Sequence, residues 1–176
     1  MMYSMYQSGF WNLERQSNLI DVAAHFYDTY ECKDGKYISL GSIEPQFYAL
    51  LCEKAELSQD DFGDQMKRDT WQNKKQMIKN VFLTKTREEW CDLMEGSDVC
   101  FAPVLDMSEA PMHPHNIARQ TFIEIEGVTQ PAPAPRFDRT QNEITLPPAI
   151  AGEHSKEILE SIGIDSNEYD LSLIHI

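Results

Sequence analysis

A glutamate near the start of a predicted helix is the first residue of this chain that could carry chemistry. Two β-rich runs, Phe26–Glu31 and Lys36–Leu40, come before it, and Gly41–Tyr48 then places Glu44 in the first turn of a helix, beside Pro45. Proline is common there, because its missing N–H would be unpaired anyway. A glutamate in this position most often only complements the helix macrodipole. On so rigid an element it is also a candidate general acid or base, or a group that orients one.

Two tyrosines in the first β-rich run are predicted to lie on opposite faces of the strand. Tyr27 and Tyr30 are three residues apart, and successive side chains of a strand point to alternate faces. One is therefore expected to pack inside, while the other meets solvent, a ligand or a partner. By spacing alone, core packing is the more common role for either residue.

The histidines do not predict a metal centre. His113 and His115 flank a proline, but no third or fourth ligand lies near them in sequence, so we predict no metal site. His25, just before the first strand, is interpreted as a surface or hydrogen-bonded histidine rather than a catalyst. The sequence has no Gly-rich phosphate loop, GxSxG elbow or HExxH motif. Motifs alone therefore indicate only an α+β protein.

The elements that must position Glu44 begin with a hairpin and a helix. Asp34-Gly35 separates the two β-rich runs and suits a tight turn, because glycine accepts positive φ. The helix after Pro45 is predicted from apolar residues at i, i+3 and i+4. Its predicted face consists of Phe47, Leu50, Leu51 and Lys54.

Further helices and a third strand complete the predicted α+β unit. Ser58–Phe62 is predicted as an acidic loop or short helix, and a longer helix follows. Its predicted apolar face consists of Trp71, Ile78, Val81 and Phe82. Thr86–Glu89 is a capping box that opens another helix, which ends near Gly96. Val99–Leu105 is interrupted by Pro103, and this pattern predicts an edge strand or the entry to a strand.

The two ends of the chain have a different character. Residues 3–20 carry apolar side chains at mostly helical spacing, which predicts a helix. After Ala110, Thr121–Val128 is a predicted strand, Pro131–Pro135 a stiff polyproline-like spacer, and Gly152–Ile162 a short helix. These late elements show no apolar core of their own, so we expect them to pack on another part of a protein.

Composition and charge limit the classes of partner. The 176 residues carry a net charge of −14, which argues against nucleic acid, because a phosphate backbone requires a basic surface. The segment from Lys67 to Arg87 contains seven basic residues and a single acidic residue, Asp69. A solvated helix face is the usual role of such a run, and binding of a phosphorylated ligand or an acidic partner is the alternative. No apolar run is long enough to span a bilayer, so no membrane partner is predicted.

The four cysteines, Cys32, Cys52, Cys91 and Cys100, fit neither a zinc motif nor a redox CxxC pair. With no visible secretory signal, we predict reduced thiols and a cytoplasmic protein.

Both termini are expected to be cuts in a longer protein. The segment 171–176 is interpreted as a sequencing-adaptor artefact and is excluded from fold reasoning.

Several segments together resemble a known family. They include Asp21…His25–Tyr30, Gly41–Tyr48, Glu95–Asp98 followed by Ala102–Leu105, Glu109–Asn116, Gln130–Phe137 and Gly152–His154. In this order they resemble the family III CoA-transferases, and Ile43-Glu44-Pro45-Gln46-Phe47-Tyr48 is most similar to the α-methylacyl-CoA racemase branch. The resemblance covers nearly all of residues 10–165.

The resemblance implies an α/β family fold with two domains. A Rossmann-like large domain is made from the N-terminal half and a returning C-terminal segment, and a small α+β domain is inserted between them. In this chain, residues 1–24 would end the first segment of the large domain, 25–110 would form the small domain, and 111–170 would return to the large domain. The family implies an interlocked homodimer, with each active site between the large domain of one subunit and the small domain of the other.

The chemistry implied by the resemblance is epimerisation of 2-methylacyl-CoA thioesters. A base removes the α-proton, an enolate forms, and an acid returns a proton on the other face. No separate cofactor is implied, because coenzyme A is part of the acyl-CoA substrate. Glu44 matches the glutamate of the small domain that supports the catalytic histidine, and Tyr27 matches a tyrosine near the substrate pocket. The catalytic aspartate and histidine of the family would lie upstream, so this chain by itself is expected to be inactive.

Two alternatives remain open. A CoA transferase of the same fold would use an upstream aspartate as nucleophile and form an acyl anhydride. A non-catalytic dimerisation module would fold as a complete unit.

The chain also departs from the family pattern Asp-Gly-Gly-Ala-Pro-Phe-Tyr, since it has Asp21-Val22-Ala23-Ala24-His25-Phe26-Tyr27. This change in the linker between domains bears on the acyl-chain specificity more than on the type of reaction.

Overall fold

The computed structural model of the chain describes residues 1–144 and 146–164 and has a mixed α/β fold. The chain divides into two compact units, Met1–Asp106 and Met107–Ile176. The proposed adaptor segment 171–176 lies outside the described residues. In the first unit the helices are α1 (Met2–Gln7), α2 (Pro45–Lys54), α3 (Gln59–Phe62), α4 (Trp71–Phe82) and α5 (Arg87–Met94), and the strands are β1 (Tyr27–Glu31), β2 (Tyr37–Gly41) and β3 (Phe101–Val104). In the second unit the elements are α6 (Pro114–Ala118), β4 (Phe122–Ile125), β5 (Val128–Pro131) and α7 (Ser155–Ser161). Short 3-10 turns lie at Arg68–Thr70 and Ala110–Met112.

The first unit is built on a three-stranded antiparallel sheet in the order β1-β2-β3. Asp34-Gly35 connects β1 to β2 as predicted, with Gly35 at a φ of +75°. The register pairs Tyr27 with Gly41 and Tyr30 with Ile38. Strand β3 lies at the edge of the sheet, so the prediction from Pro103 is confirmed. An edge is where a strand tolerates proline, because one row of its backbone groups has no neighbour to bond.

One face of this sheet and the adjacent helices form an aromatic core. The ring of Tyr30 stacks on Phe82 with centroids 5.3 Å apart, and Phe82 meets Trp90 edge-on at 4.9 Å. Trp71, Ile78 and Phe82 are buried, which confirms the predicted face of α4 apart from Val81, which is only partly buried. Burial of these large side chains is the main stabilising contribution to the unit.

The predicted apolar face of α2 is confirmed at Leu51 and is otherwise wrong by one position. The structure buries Tyr48, Leu51 and Cys52, whereas Phe47 and Leu50 are only partly buried. Phe47 and Tyr48 are adjacent aromatic residues, and either could begin an i, i+3, i+4 stripe. The hydrogen bond from the Tyr48 hydroxyl to the carbonyl of Phe62, at 2.9 Å, belongs to the buried face that the fold selects.

The predicted helix over residues 3–20 is also wrong, since α1 ends at Gln7. Gly9 has a φ of +77°, which is outside helical geometry. Beyond it, polar side chains hold a loop in place of a helix. Asn18 Nδ2 donates to the carbonyl of Asn12 at 3.1 Å, and Asp21 Oδ1 accepts the backbone N–H of Asn18 at 2.7 Å. Such side-chain bonds compete with the i to i−4 ladder of a helix.

The strand predicted at Thr121–Val128 is confirmed over its central residues, β4, and a second strand, β5, pairs with it in a short hairpin. Strands β4 and β5 pair through a turn at Glu126-Gly127, and Phe122 faces Pro131 in the register. The predicted polyproline spacer is wrong at its start, because Pro131 ends β5. Helix α7 lies within the predicted helix Gly152–Ile162. None of the described residues from 107 onward is fully buried, which agrees with the expected lack of a separate core.

The capping box that opens α5 is confirmed and supports a stability prediction. Thr86 Oγ1 accepts the N–H of Glu89 at 3.2 Å, and Glu89 Oε2 accepts the N–H of Thr86 at 2.8 Å. We expect Thr86→Ala to lower the free energy of unfolding by about 1 kcal/mol, because an N–H of the first turn loses its acceptor. Urea denaturation measures this change, with the exposed Thr140→Ala as the control. Equal stability of the two variants would contradict the assigned role of the cap.

Candidate functional site

Glu44 is the N-cap of α2, one residue before the first turn in which it was predicted. Its backbone is extended, with φ −70° and ψ 140°, and its carbonyl accepts the N–H of Tyr48 at 3.0 Å. Pro45 occupies the start of the helix as predicted. The Glu44 side chain is exposed and makes no capping hydrogen bond. The exposed carboxylate therefore stands on a backbone that the helix holds in place.

The two residues before Glu44 form a fully bonded turn. The N–H of Ser42 donates to the carbonyl of Phe26 at 3.0 Å, and the N–H of Ile43 donates to that of Gly41 at 2.8 Å. Both carbonyls of the turn accept from one side chain, since Gln65 Nε2 lies 2.9 Å from each. In addition, the Ser42 hydroxyl donates to the carbonyl of Val99 at 2.5 Å. The position of Glu44 thus depends on segments far away in sequence.

Tyr27 lies beside an open cavity on the face of the sheet. It is partly buried, whereas Tyr30 is 3% exposed, so the predicted division between the two tyrosines is confirmed. The cavity has a volume of about 360 Å³ and includes Tyr27, Gly41 and Cys100 in its lining. A methyl group on Gly41 would come 3.9 Å from Tyr27 Cε2, so the tyrosine ring lies against the glycine. Glu44 does not line this cavity.

Cys100 connects the surroundings of the two predicted site residues. It lines the cavity beside Tyr27, and its carbonyl accepts the N–H of Gly41 at 2.8 Å. Burial raises the pKa of the Cys100 thiol, and the nearby charge of Glu44 raises that pKa further. Cys100 therefore shares a cavity with Tyr27 and lies within the electrostatic influence of Glu44. Sequence reasoning did not select Cys100, because nothing in its spacing distinguishes it from the other cysteines.

His25 is completely buried, so its interpretation as a surface residue is wrong and a hydrogen-bonded role is correct. Its Nε2 lies 2.8 Å from the hydroxyl of Tyr48, which itself donates to Phe62. Since that hydroxyl has one hydrogen, Nε2 carries the proton and donates. Nδ1 is buried and has no hydrogen-bond partner within residues 1–144 and 146–164. Burial lowers the pKa of His25 to about 3, and the charge of Lys74 adds to this effect.

The basic run between Lys67 and Arg87 is not simply a solvated face. Lys74 is 3% exposed, and its Nζ donates to the carbonyl of Asp64 at 2.7 Å. Lys75 pairs with Asp28 and also donates to the carbonyl of Val22. Two of the seven basic side chains therefore stabilise the fold itself. Fewer of the seven basic side chains are therefore left to bind a phosphorylated ligand or an acidic partner.

Two negative observations apply to the described part of the chain. Within residues 1–144 and 146–164, no group of three or more His, Cys, Asp and Glu side chains is arranged to hold a metal ion. No helix in the same residues is long and apolar enough to cross a membrane.

The fold agrees with the similarities of the chain to known proteins. The sequence model described as CoA-transferase family III matches residues 1–155. The chain therefore belongs to CoA-transferase family III, as the resemblance of its motifs indicated.

The chain is similar to two curated racemases. α-Methylacyl-CoA racemase of Mus musculus is 39% identical over 165 residues, which are 91% of this chain and 42% of that protein. The enzyme of the same name from Homo sapiens is 40% identical over 161 residues, or 90% of this chain and 42% of that protein. The chain thus spans less than half the length of these relatives.

A crystal structure of Rv3272 from Mycobacterium tuberculosis has a similar fold. It matches with a TM-score of 0.59 and 20% sequence identity, and the match covers 73% of this chain and 37% of that one. At this identity the similarity supports the fold alone.

The buried His25 predicts a loss of stability in mild acid. An unfolded histidine has a pKa of about 6.5. Because the folded pKa is about 3, the unfolded chain binds more protons between these two values. The free energy of unfolding should therefore fall as the pH is lowered from 6.5 towards 3, by about 1.4 kcal/mol for each unit of pKa difference.

Urea denaturation between pH 7 and pH 4 measures this dependence. His25→Gln should show a shallower fall than the original protein, and the exposed His115→Gln should match the original. If His25→Gln retained the full slope, the acid sensitivity would arise elsewhere.

Proposed function

We propose that this chain is part of an acyl-CoA racemase that epimerises 2-methylacyl-CoA thioesters. The observation that carries the proposal is the identity of about 40% to two α-methylacyl-CoA racemases over 90% or more of the chain.

The proposed arrangement within the whole enzyme follows from the family resemblance. Residues 25–110 are the small α+β domain, and residues 1–24 and 111–170 belong to a Rossmann-like large domain. The division of the described structure near Asp106 supports this boundary. The absence of fully buried side chains in the described part of 107–164 supports a segment that packs on another domain. In an interlocked homodimer, the small domain would present Glu44 to the active site of the partner.

The proposed reaction moves a proton at the carbon next to the thioester. The thioester acidifies this carbon, a base removes its proton, and the resulting enolate is protonated on the opposite face. An enzyme for this step needs two acid/base groups and donors that stabilise the enolate oxygen. We assign Glu44 to the support of a histidine supplied by the upstream region, and Tyr27 to the wall of the substrate pocket. The exposed carboxylate on a fully bonded turn supports this assignment of Glu44.

A CoA transferase is the second candidate, because the matched family is described by that activity. It would use an upstream aspartate as a nucleophile and pass coenzyme A between carboxylic acids through an acyl anhydride. In that case Glu44 would have no α-proton transfer to support. The two reactions differ in their products, so one experiment separates them.

The test is deuterium exchange in an enzyme completed upstream from the source DNA. Incubation with (R)-2-methylacyl-CoA in D₂O should incorporate deuterium at the α-carbon and produce the S epimer, as detected by NMR. This chain by itself, in the same assay, is expected to be inactive. Transfer of coenzyme A to an added carboxylic acid without α-exchange would replace the racemase proposal with the transferase.

Removal of the Glu44 charge tests its assigned role. In the completed enzyme, we expect Glu44→Gln to lower the exchange rate by about 100-fold or more, the usual range for acid/base assistance, with the fold retained. Glu53→Gln is the matched control, because Glu53 is an exposed glutamate of the same helix α2. Unchanged kinetics in Glu44→Gln would reduce Glu44 to a residue that only begins the helix.

A further inference from the structure

We infer that Gln65 is a positioning residue for Glu44. The inference rests on the proposed function, since it requires that Glu44 act in turnover. Gln65 lies in the loop between α3 and the 3-10 turn at Arg68–Thr70, 21 residues beyond Glu44 in the sequence. Nothing in its spacing singled it out. Its importance follows from what its side chain contacts.

The Gln65 side chain provides two donors to the backbone that precedes Glu44. Its Nε2 lies 2.9 Å from the carbonyl oxygen of Ser42 and 2.9 Å from that of Ile43. An amide NH₂ group has two hydrogens, so both are used on adjacent peptides. Gln65 is only 8% exposed, and Ser42 is completely buried. Water is therefore poorly placed to replace the bond to Ser42.

The Gln65 backbone is itself held by the start of α4. Trp71 Nε1 donates to the carbonyl of Gln65 at 2.8 Å, and Lys74 Nζ donates to the carbonyl of Asp64 at 2.7 Å. Trp71 and Lys74 are three residues apart on one helix and are both buried. A rigid helix thus holds two successive carbonyls of the loop from which Gln65 reaches the turn.

These contacts form one continuous support for the carboxylate. Helix α4 holds the Gln65 loop, Gln65 holds the carbonyls of Ser42 and Ile43, and the next residue is Glu44. Because the Glu44 side chain makes no capping bond, its location depends on its backbone. A displacement of about 1 Å at a catalytic group can cost about 100-fold in rate. Gln65 therefore acts on turnover through the position of Glu44.

The test is a double-mutant cycle in the enzyme completed upstream. Gln65→Met has nearly the same shape and removes both donors. We expect it to lower kcat by about 10-fold to 100-fold with little change in KM, because it displaces a group used in the transition state. In a Glu44→Gln background, the same change should lower kcat no further, because the group that it positions is already absent.

A stability control separates positioning from general destabilisation. Thr86→Ala weakens the cap of α5, whose hydrogen bonds join Thr86 to Glu89, and should lower Tm without changing kcat. Gln65→Asn is the second variant if Gln65→Met does not fold, because its amide remains polar but is one methylene too short to reach both carbonyls. Circular dichroism verifies the fold of each variant. If the completed enzyme transfers coenzyme A without α-exchange, the proposed function is overturned, and Glu44 has no α-proton transfer for Gln65 to support.

The outcomes distinguish the inference from the proposed function. Loss of kcat in Gln65→Met that disappears in the Glu44→Gln background supports the inference. An unchanged kcat in Gln65→Met, or an equal loss in both backgrounds, overturns the inference alone while Glu44 retains its role. An unchanged kcat in Glu44→Gln overturns both, since Gln65 would then have no active group to position.

Discussion

The pairing of every backbone polar group in the Ser42-Ile43 turn is the constraint on which this structure depends most. The turn connects the last residue of β2 to Glu44, the N-cap of α2, and its two N–H groups and two carbonyls are all bonded. Ser42 is fully buried, and a buried peptide group without a partner is costly. The β1 strand, the Gln65 loop and the segment at Val99 must therefore meet at this turn. The geometry that satisfies it also fixes the start of α2 and the place of Glu44.

The aromatic core explains how distant segments can meet so closely. Phe26 contacts both Tyr48 and Trp71 edge-on, with ring centroids 5.7 Å and 5.8 Å apart. It therefore joins the start of β1 to α2 and α4. Two of these segments also bond to the turn or to the loop that supports it. The carbonyl of Phe26 accepts the N–H of Ser42, and α4 donates to the Gln65 loop from Trp71 and Lys74. The hydrogen bonds of the turn thus depend on the packing of the core, because the ring contacts bring the donors and acceptors within bonding distance.

The departures from the family pattern lie in the segment that leads into this core. Val22, which stands at a glycine of the family pattern that the chain resembles, has a φ of +67°, which is unusual for a β-branched residue. Its carbonyl accepts from Lys75 of α4, so the unfavourable conformation coincides with a specific contact. His25, which stands at the proline of that pattern, is buried and donates to Tyr48. In the segment that leads to β1, this chain therefore has polar contacts at positions where the family pattern has glycine and proline.

The sequence by itself determined the features that depend on neighbours within a few residues. The Asp34-Gly35 turn, the cap at Thr86, the start of a helix at Pro45 and the edge position of β3 all follow from local backbone chemistry. The motifs around Glu44 also indicated the family. Only the tertiary structure decided which face of α2 is buried, that Lys74 turns inward, and that His25 has no contact with solvent. It alone showed that Gln65 and Cys100 lie beside the candidate site. These features depend on partners such as Ser42 and Val99, which are 57 residues apart, and no local pattern specifies which distant groups will meet once the aromatic core has formed.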